Sequence, residues 1–247
     1  MANARQEAGV VIENGILRPS AAALDYLRAH DRRLGAVIDG VGVIERPINS
    51  DPFAGVIRHI VGQQISGKAQ ATIWARLMAR IALASPNQTI SPEENAGLSG
   101  PSPESLLALG ENGLRSVGMS GVKAARILEV ARRTACGEVD FHALAQKTDQ
   151  EIIDTLVELP GVGVWTAEML LIFSFGRPNV LSFGDFGIRS GILRLYGHKA
   201  LPRVRFERYR KRYAPFGTAA SLYLWKVGNG EVESSVWKVK KRELPSG

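Results

Sequence analysis

Hydrophobic residues recur at helical spacing along most of the chain. Phe53, Val56, Ile57 and Ile60 fall on one helical face, and similar patterns follow. Residue patterns and turn signals predict helices over 20–29, 31–41, 53–60, 67–81, 103–109, 114–117, 121–134, 141–145, 150–158, 164–175, 185–196, 205–213 and 218–225. The absence of sustained apolar–polar alternation and of a fixed repeat favours an all-α fold.

Local signals mark several boundaries of these helices. Ser66, Ser102 and Asp149 are predicted N-caps, and Pro103 suits the first helical position after Ser102. Asn14-Gly15 between apolar pairs predicts either a short strand pair or an ordered loop. Residues 84–101 are rich in loop-forming residues and predict a surface insertion, and the basic tail from Glu231 is expected to be loose.

Charge and cysteine content narrow the classes of function. The 247 residues include 31 Lys and Arg against 24 Asp and Glu, a net charge of +7. This excess suits a nucleic-acid partner, although many basic proteins bind none. One cysteine, Cys136, excludes an internal disulfide framework, a multi-cysteine zinc site and a cysteine-held iron–sulfur cluster. Without a signal peptide or an apolar run long enough to span a bilayer, the chain is expected to be soluble and cytoplasmic.

The segment Leu159-Pro160-Gly161-Val162-Gly163 predicts a tight hairpin between two helices. Pro160 ends the first helix, and Gly161 and Gly163 are expected to adopt backbone conformations closed to other residues. The turn would leave backbone N–H groups of Gly161, Gly163 and Trp165 free to bind a phosphate. A plain helix–helix turn without a ligand is the alternative.

Beyond the hairpin, the chain resembles the helix-hairpin-helix DNA glycosylase superfamily. Asp185 stands twenty residues after Trp165, in the segment Ser182-Phe183-Gly184-Asp185-Phe186-Gly187. More closely, the chain looks like the AlkA-like 3-methyladenine DNA glycosylase II branch. The resemblance also rests on four other stretches, which read Asp51-Pro52-Phe53, Ile60-Val61-Gly62-Gln63-Gln64-Ile65-Ser66, Gly118-Met119-Ser120-Gly121-Val122-Lys123 and Tyr223-Leu224-Trp225.

The resemblance assigns the catalytic carboxylate to Asp185. A carboxylate there would stabilise positive charge on the deoxyribose and orient or deprotonate the attacking water. An aspartate before a helix is also a common N-cap, and both roles can coexist. Bifunctional relatives carry a lysine nucleophile where this chain has Trp165, so the resemblance implies hydrolysis without strand cleavage.

The resemblance also implies positions for the lesion and the DNA. Trp165, Met169 and Trp225 match the base pocket, where indole faces favour a cationic alkylated purine; the alternative is that all three are core residues. Gln64, with Gln63 and Ile65 as competitors, matches the wedge that fills the gap left by a flipped nucleotide. The predicted phosphate ligands are Gly161, Gly163, Trp165 and Lys123. Side chains supply no metal ligands and no cofactor is expected, although the family's hairpin can hold a monovalent cation with backbone carbonyls.

Together these features predict two helical lobes with the active-site cleft between them. Residues 53–177 would form a central lobe ending in the hairpin, and residues 1–52 with 178–247 the other. The implied function is excision of alkylated purines, chiefly 3-methyladenine with 7-methylguanine second, from double-stranded DNA by a monomer. It would act in the bacterial nucleoid, or in a nucleus if the source is eukaryotic. The alternatives are a glycosylase for hypoxanthine, an oxidised base or a bulky adduct, and a non-catalytic DNA-binding protein.

Overall fold

The chain divides into two compact units in a computed structural model that describes residues 9–84 and 100–237. One unit comprises residues 1–47 and 176–247, and the other is the continuous segment 48–175. The sequence-predicted boundaries fall after residues 52 and 177, within five residues of these. Most of the predicted insertion at 84–101 and the end of the basic tail lie outside the described residues.

Helices dominate the described residues, as the sequence predicts. They are α1 (Ala21–His30), α2 (Arg32–Val41), α3 (Pro52–Gly62), α4 (Gly67–Ala84), α5 (Pro103–Ser116), α6 (Gly121–Ala135), α7 (Phe141–Leu144), α8 (Asp149–Val157), α9 (Val164–Phe173), α10 (Phe186–Tyr196), α11 (Arg203–Tyr213) and α12 (Gly217–Gly228), followed by a 3₁₀ turn at Ser234–Val236. Within the described ranges, no helix is both long and apolar enough to cross a bilayer.

A small antiparallel sheet begins the discontinuous unit. Strands β1 (Val10–Glu13) and β2 (Ile16–Pro19) pair with Val10 opposite Pro19 and Glu13 opposite Ile16. Asn14 and Gly15 join them with φ values of 51° and 72°, the left-handed conformation that two-residue hairpin turns require. The structure therefore forms the strand pair rather than the ordered loop. A third strand, β3 (Arg46–Pro47), pairs with β2.

A buried polar cluster ties the helices of the discontinuous unit together. Asp31 is the N-cap of α2, and its Oδ1 accepts from the backbone N–H groups of Arg33 and Leu34. Its Oδ2 accepts from the Tyr196 hydroxyl of α10 at 2.5 Å and from Arg212 Nη1 of α11 at 2.9 Å. One carboxylate therefore caps one helix and binds two others, and burial raises the pKa of Tyr196.

Capping residues start most helices of the continuous unit. Asp51 accepts from Ala54 N at the start of α3, and Ser102 caps α5 with Pro103 in its first turn, as predicted. The prediction of Asp149 as the cap of α8 is wrong, because Thr148 forms a capping box with Glu151 one residue earlier. The two helices predicted over 103–117 meet at a kink at Gly110, where φ is 62°.

Candidate functional site

The carboxylate of Asp185 is held in place by two hydrogen bonds in the discontinuous unit. Asp185 is the N-cap of α10, and its Oδ1 accepts from the backbone N–H of Ile188 at 2.8 Å. The same oxygen accepts from the indole Nε1–H of Trp225 on α12, also at 2.8 Å. The side chain is buried, with an exposed fraction of 7 %. The predicted cap is therefore confirmed, and it fixes the carboxylate from two directions.

Gly187 makes the approach of Trp225 to Asp185 sterically possible. A Cβ atom at Gly187 would lie 2.7 Å from Trp225 Cδ1 and 3.3 Å from Asp185 Oδ1. The first distance is shorter than two carbon atoms tolerate, so a side chain here would displace the indole. The glycine two residues after the aspartate thus has a steric role that its position in the sequence does not indicate.

Phe186 is the most exposed large apolar residue beside Asp185. It opens α10, and 83 % of its surface is accessible. The ring is therefore accessible at the surface beside the buried carboxylate. The sequence does not predict this exposure, because a single Phe at the start of a helix fits a core position equally well.

The predicted hairpin lies in the continuous unit, between α8 and α9. Gly161 has a φ of 87°, which disfavours residues with a side chain, whereas Gly163 has a φ of −100° that any residue adopts. The expectation that both glycines need special conformations is therefore wrong for Gly163. Gly163 is the N-cap of α9 and provides no side-chain cap. The start of α9 thus presents backbone N–H groups of the kind that bind anions.

Gln63 and Gln64, the two predicted wedge residues, are placed differently. Gln63 donates from Nε2 to the Gly161 carbonyl at 2.7 Å and accepts from Arg126 Nη1 at 3.2 Å, so its side chain braces the hairpin. Gln64 is exposed and has a φ of 58°, a strained value for a residue with a side chain. Of the two, the exposed Gln64 is the one whose position suits a wedge.

Lys123, a predicted phosphate ligand, is partly engaged within the unit. Its Nζ donates to the Val61 carbonyl at the end of α3 at 2.8 Å. Burial lowers the pKa of this ammonium group. Lys123 thus neutralises the negative end of α3 and lines the groove beside the hairpin.

A groove of about 950 Å³ lies along this face of the continuous unit. Its walls include residues predicted to bind DNA, namely Gln63, Gln64, Lys123, Gly161 and Trp165. Trp165 is 44 % exposed, whereas Met169, one helical turn later, is 4 % exposed. The structure therefore gives Trp165 an accessible indole and gives Met169 the burial of a core residue.

His59 also lines the groove and was not predicted from the sequence. Its Nδ1 lies 3.0 Å from the Gly55 carbonyl, which requires the proton on Nδ1 and leaves Nε2 as an acceptor. Its ring meets that of Trp165 edge to face at 6.2 Å. Burial lowers the pKa of His59, which favours the neutral imidazole.

The basic run at the end of α6 is compensated by acids. Arg132 and Arg133 both bond to Glu129, and both lie within 3.6 Å of Glu138. These arginines lower the pKa of Glu129 to about 2. Their charge is therefore shared with carboxylates rather than directed at a ligand.

No side-chain metal site is present in the described parts of the chain: no group of three or more His, Cys, Asp or Glu residues there is arranged to hold an ion. The Gly161 carbonyl accepts from Gln63, and the Leu159 carbonyl accepts from Val162 N at 3.1 Å. A backbone carbonyl oxygen has two lone pairs, so these hydrogen bonds leave each oxygen a lone pair for a monovalent cation.

Comparison with known proteins shows the family of the chain. The family model for the HhH-GPD superfamily base excision DNA repair protein matches residues 57–215. This chain belongs to that superfamily. The matched region contains the hairpin and Asp185, while Trp225 lies just beyond it.

Individual proteins that are similar to this chain carry names consistent with that superfamily. DNA-3-methyladenine glycosylase 1 of Schizosaccharomyces pombe is 32 % identical over 182 residues, covering 72 % of each chain. A crystal structure of DNA-3-methyladenine glycosidase from Bacillus halodurans matches with a TM-score of 0.70 at 32 % identity, covering 84 % of this chain and 89 % of that one. The S. pombe 3-methyladenine DNA glycosylase in complex with abasic DNA matches with a TM-score of 0.66 at 28 % identity, covering 83 % of this chain and 95 % of that one.

Proposed function

We propose that this protein is a monofunctional DNA glycosylase that releases alkylated purines, chiefly 3-methyladenine, from duplex DNA. The observation that carries the proposal is the buried Asp185 carboxylate, held by Ile188 N and Trp225 Nε1 in a member of a base excision repair superfamily. The names of the relatives support the lesion class. We expect the protein to act as a monomer, wherever chromosomal DNA is found.

The reaction needs stabilisation of positive charge on the sugar. As the bond between C1′ and the base nitrogen breaks, its electron pair moves to the base and C1′ becomes cationic. A carboxylate fixed beforehand, such as that of Asp185, stabilises this cation without reorganising. Water then adds its oxygen to C1′ and loses a proton, which Asp185 accepts or passes to solvent. In 3-methyladenine the departing electron pair neutralises the charge on the base, which makes that base a good leaving group.

The tryptophan at position 165, next to the hairpin, favours hydrolysis without strand cleavage. Strand cleavage by related enzymes requires an amine that forms a Schiff base with the sugar, and the indole of Trp165 cannot form one. We therefore expect an abasic product and no covalent enzyme–DNA adduct. Trapping of such an adduct with borohydride would contradict this expectation.

The two alternatives differ in what the site would release. A glycosylase for hypoxanthine, an oxidised base or a bulky adduct would use the same Asp185 with a different lesion. A non-catalytic DNA-binding protein would release no base, and the buried, doubly hydrogen-bonded Asp185 argues against it.

Duplexes that each carry one defined lesion test the proposal. The wild-type protein should release 3-methyladenine faster than hypoxanthine or 8-oxoguanine, and Asp185→Asn should lower that rate at least about 100-fold while duplex binding persists. Asp140→Asn, at the exposed N-cap of α7, is the matched control and should retain base release. Normal base release by Asp185→Asn would rule out the assigned role.

A further inference from the structure

Helix α11 carries most of the net charge of the protein. Its eleven residues contain six basic side chains and one acid, Glu207, so its net charge is +5. The net charge of the whole chain is +7. The buried side of α11 is aromatic, with Phe206, Tyr209 and Tyr213, so the charges are concentrated on its outer side.

Only some of these charges are compensated. Glu207 is shared between Arg203 at 3.5 Å and Arg210 at 3.0 Å, and Arg212 reaches Asp31. The three remaining cations of the helix are Arg205, Arg208 and Lys211, and we call them the α11 patch. Within residues 9–84 and 100–237, no carboxylate forms an ion pair with any of them. All three are exposed, which contrasts with the acid-paired arginines at the end of α6.

The spacing of the α11 patch matches a nucleic-acid backbone. Positions 205, 208 and 211 follow a three-residue interval, which keeps them on neighbouring faces of the helix. They extend over about 9 Å at about 1.5 Å per residue. One strand of duplex DNA presents a phosphate about every 3.4 Å along its axis, so two to three phosphates fall within that length.

Basic residues also connect α11 with the catalytic aspartate inside the same unit. Arg189, one turn after Asp185, lies over the Phe183 ring at 5.1 Å, and Arg203 lies over the same ring at 5.2 Å. Phe183 in turn packs against Phe206 of α11. A polyanion bound along α11 thus has a continuous basic route to the start of α10.

The positive charge at the N-terminal end of α11 also acts on His198, whose ring bonds to the Tyr209 hydroxyl of that helix. The pKa of His198 is lowered by burial and by the charges of Arg205 and Arg33. Cations that disfavour a further positive charge will favour an anion at the same place.

We propose that the α11 patch binds the phosphate backbone of duplex DNA, independently of sequence, in addition to the contact proposed for the hairpin. This inference rests on the proposed function, since a glycosylase must hold long undamaged duplexes while it searches for a lesion. Phosphate contacts fix position without reading bases, which fits side chains that carry charge alone.

The test is the salt dependence of binding to an undamaged 30-base-pair duplex by the full-length protein. Arg205→Gln/Arg208→Gln/Lys211→Gln should weaken binding at least about tenfold at low salt. It should also reduce the slope of log affinity against log salt by about 2, because each neutralised phosphate contributes about 0.9.

A control variant loses the same three positive charges as the α11 variant, but at other places. Arg28→Gln/Arg115→Gln/Arg132→Gln removes three arginines that already pair with acids, and it should bind within about twofold of the wild type. Thermal melting checks that both triple variants are folded. Unchanged affinity and slope in the α11 variant, or equal losses in both triples, would overturn the proposal and leave the patch to another acidic partner, such as a protein.

Release of 3-methyladenine by the wild type, measured in parallel, keeps the two proposals separate. Absence of base release together with a reduced slope in the α11 variant would support the patch and contradict the glycosylase assignment. Normal base release together with an unchanged slope in the α11 variant would support the glycosylase assignment and contradict the patch.

Discussion

At Asp185, one carboxylate oxygen serves as both a helix cap and an acceptor for an indole. The bond from Ile188 N could be anticipated, because it depends on residues three positions apart. The bond from Trp225 joins residues 40 positions apart, and no local pattern in the sequence predicts it. Trp225 was therefore predicted as a stacking surface, whereas the structure shows it donating a hydrogen bond to the catalytic candidate.

This bond predicts the behaviour of Trp225→Phe, which keeps an aromatic ring but removes the donor. A hydrogen bond to a charged group contributes about 1.5–3 kcal/mol, so base release should fall at least about tenfold. Because the bond positions Asp185, the loss should be similar for cationic 3-methyladenine and for neutral hypoxanthine, if wild type releases both. Single-turnover base release on both lesions is the measurement, with a thermal melt as the folding control. A loss confined to the cationic lesion would assign Trp225 to charge recognition instead.

At the scale of elements, the hairpin shows what a glycine pattern can and cannot predict. Pro160 and the two glycines correctly indicate a turn between α8 and α9, because these residues act locally. They do not reveal that Gln63, 98 positions earlier, braces Gly161. They also cannot distinguish a glycine that needs its conformation from one that does not.

Gly161→Ala and Gly163→Ala form a matched pair that tests this difference. Gly161 has a φ of 87°, and a Cβ atom there would lie 2.8 Å from Arg126 Cδ, whereas a Cβ at Gly163 would meet nothing within 4 Å. Gly161→Ala should lower the free energy of unfolding by about 1–2 kcal/mol and weaken duplex binding. Gly163→Ala should change stability by less than about 1 kcal/mol, because the smaller conformational freedom of Ala in the unfolded chain offsets its poorer fit at an N-cap. Denaturant unfolding and duplex titration measure both, and equal effects of the two substitutions would contradict the assignment.

The same scale explains why α11 was recognised only as a helix. Its basic composition is evident from the sequence, but the sequence does not show which of its positive charges are paired with carboxylates in the folded chain. Asp31, which pairs with Arg212, lies 181 positions away in the chain. Arg132 and Arg133 at the end of α6 are also basic in the sequence, and only their contacts with Glu129 and Glu138 show that their charge is compensated.

At the scale of the whole molecule, Asp31 is the residue on which the packing of three helices converges. Asp31→Ala would remove the cap of α2 and the carboxylate that accepts from Arg212 and from the Tyr196 hydroxyl, which would keep only its contact with the Tyr213 hydroxyl. A lost cap costs about 0.5–2 kcal/mol, and an unsatisfied buried donor about 1–3 kcal/mol. We expect the free energy of unfolding to fall by about 3 kcal/mol in chemical denaturation.

The control for this prediction is Asp25→Ala. Asp25 is an exposed acid that forms a surface ion pair with Arg28, and its loss should change stability by no more than about 1 kcal/mol. Comparable small effects for both aspartates would show that the Asp31 cluster does not hold the three helices together.

Because one unit is built from two separate segments of the chain, it can be completed only after the continuous unit during synthesis. The continuous unit is complete once residue 175 has been made, whereas residues 1–47 pack with a segment that begins at residue 176. The Tyr223 hydroxyl, for example, bonds to the Gly42 carbonyl. At about 5–20 residues per second, the ribosome needs roughly 4–14 s to make residues 176–247. During that interval the hairpin has already been made. The helices α1 and α2 still lack the segment they pack against, and Asp185 still lacks its hydrogen bond from the indole of Trp225.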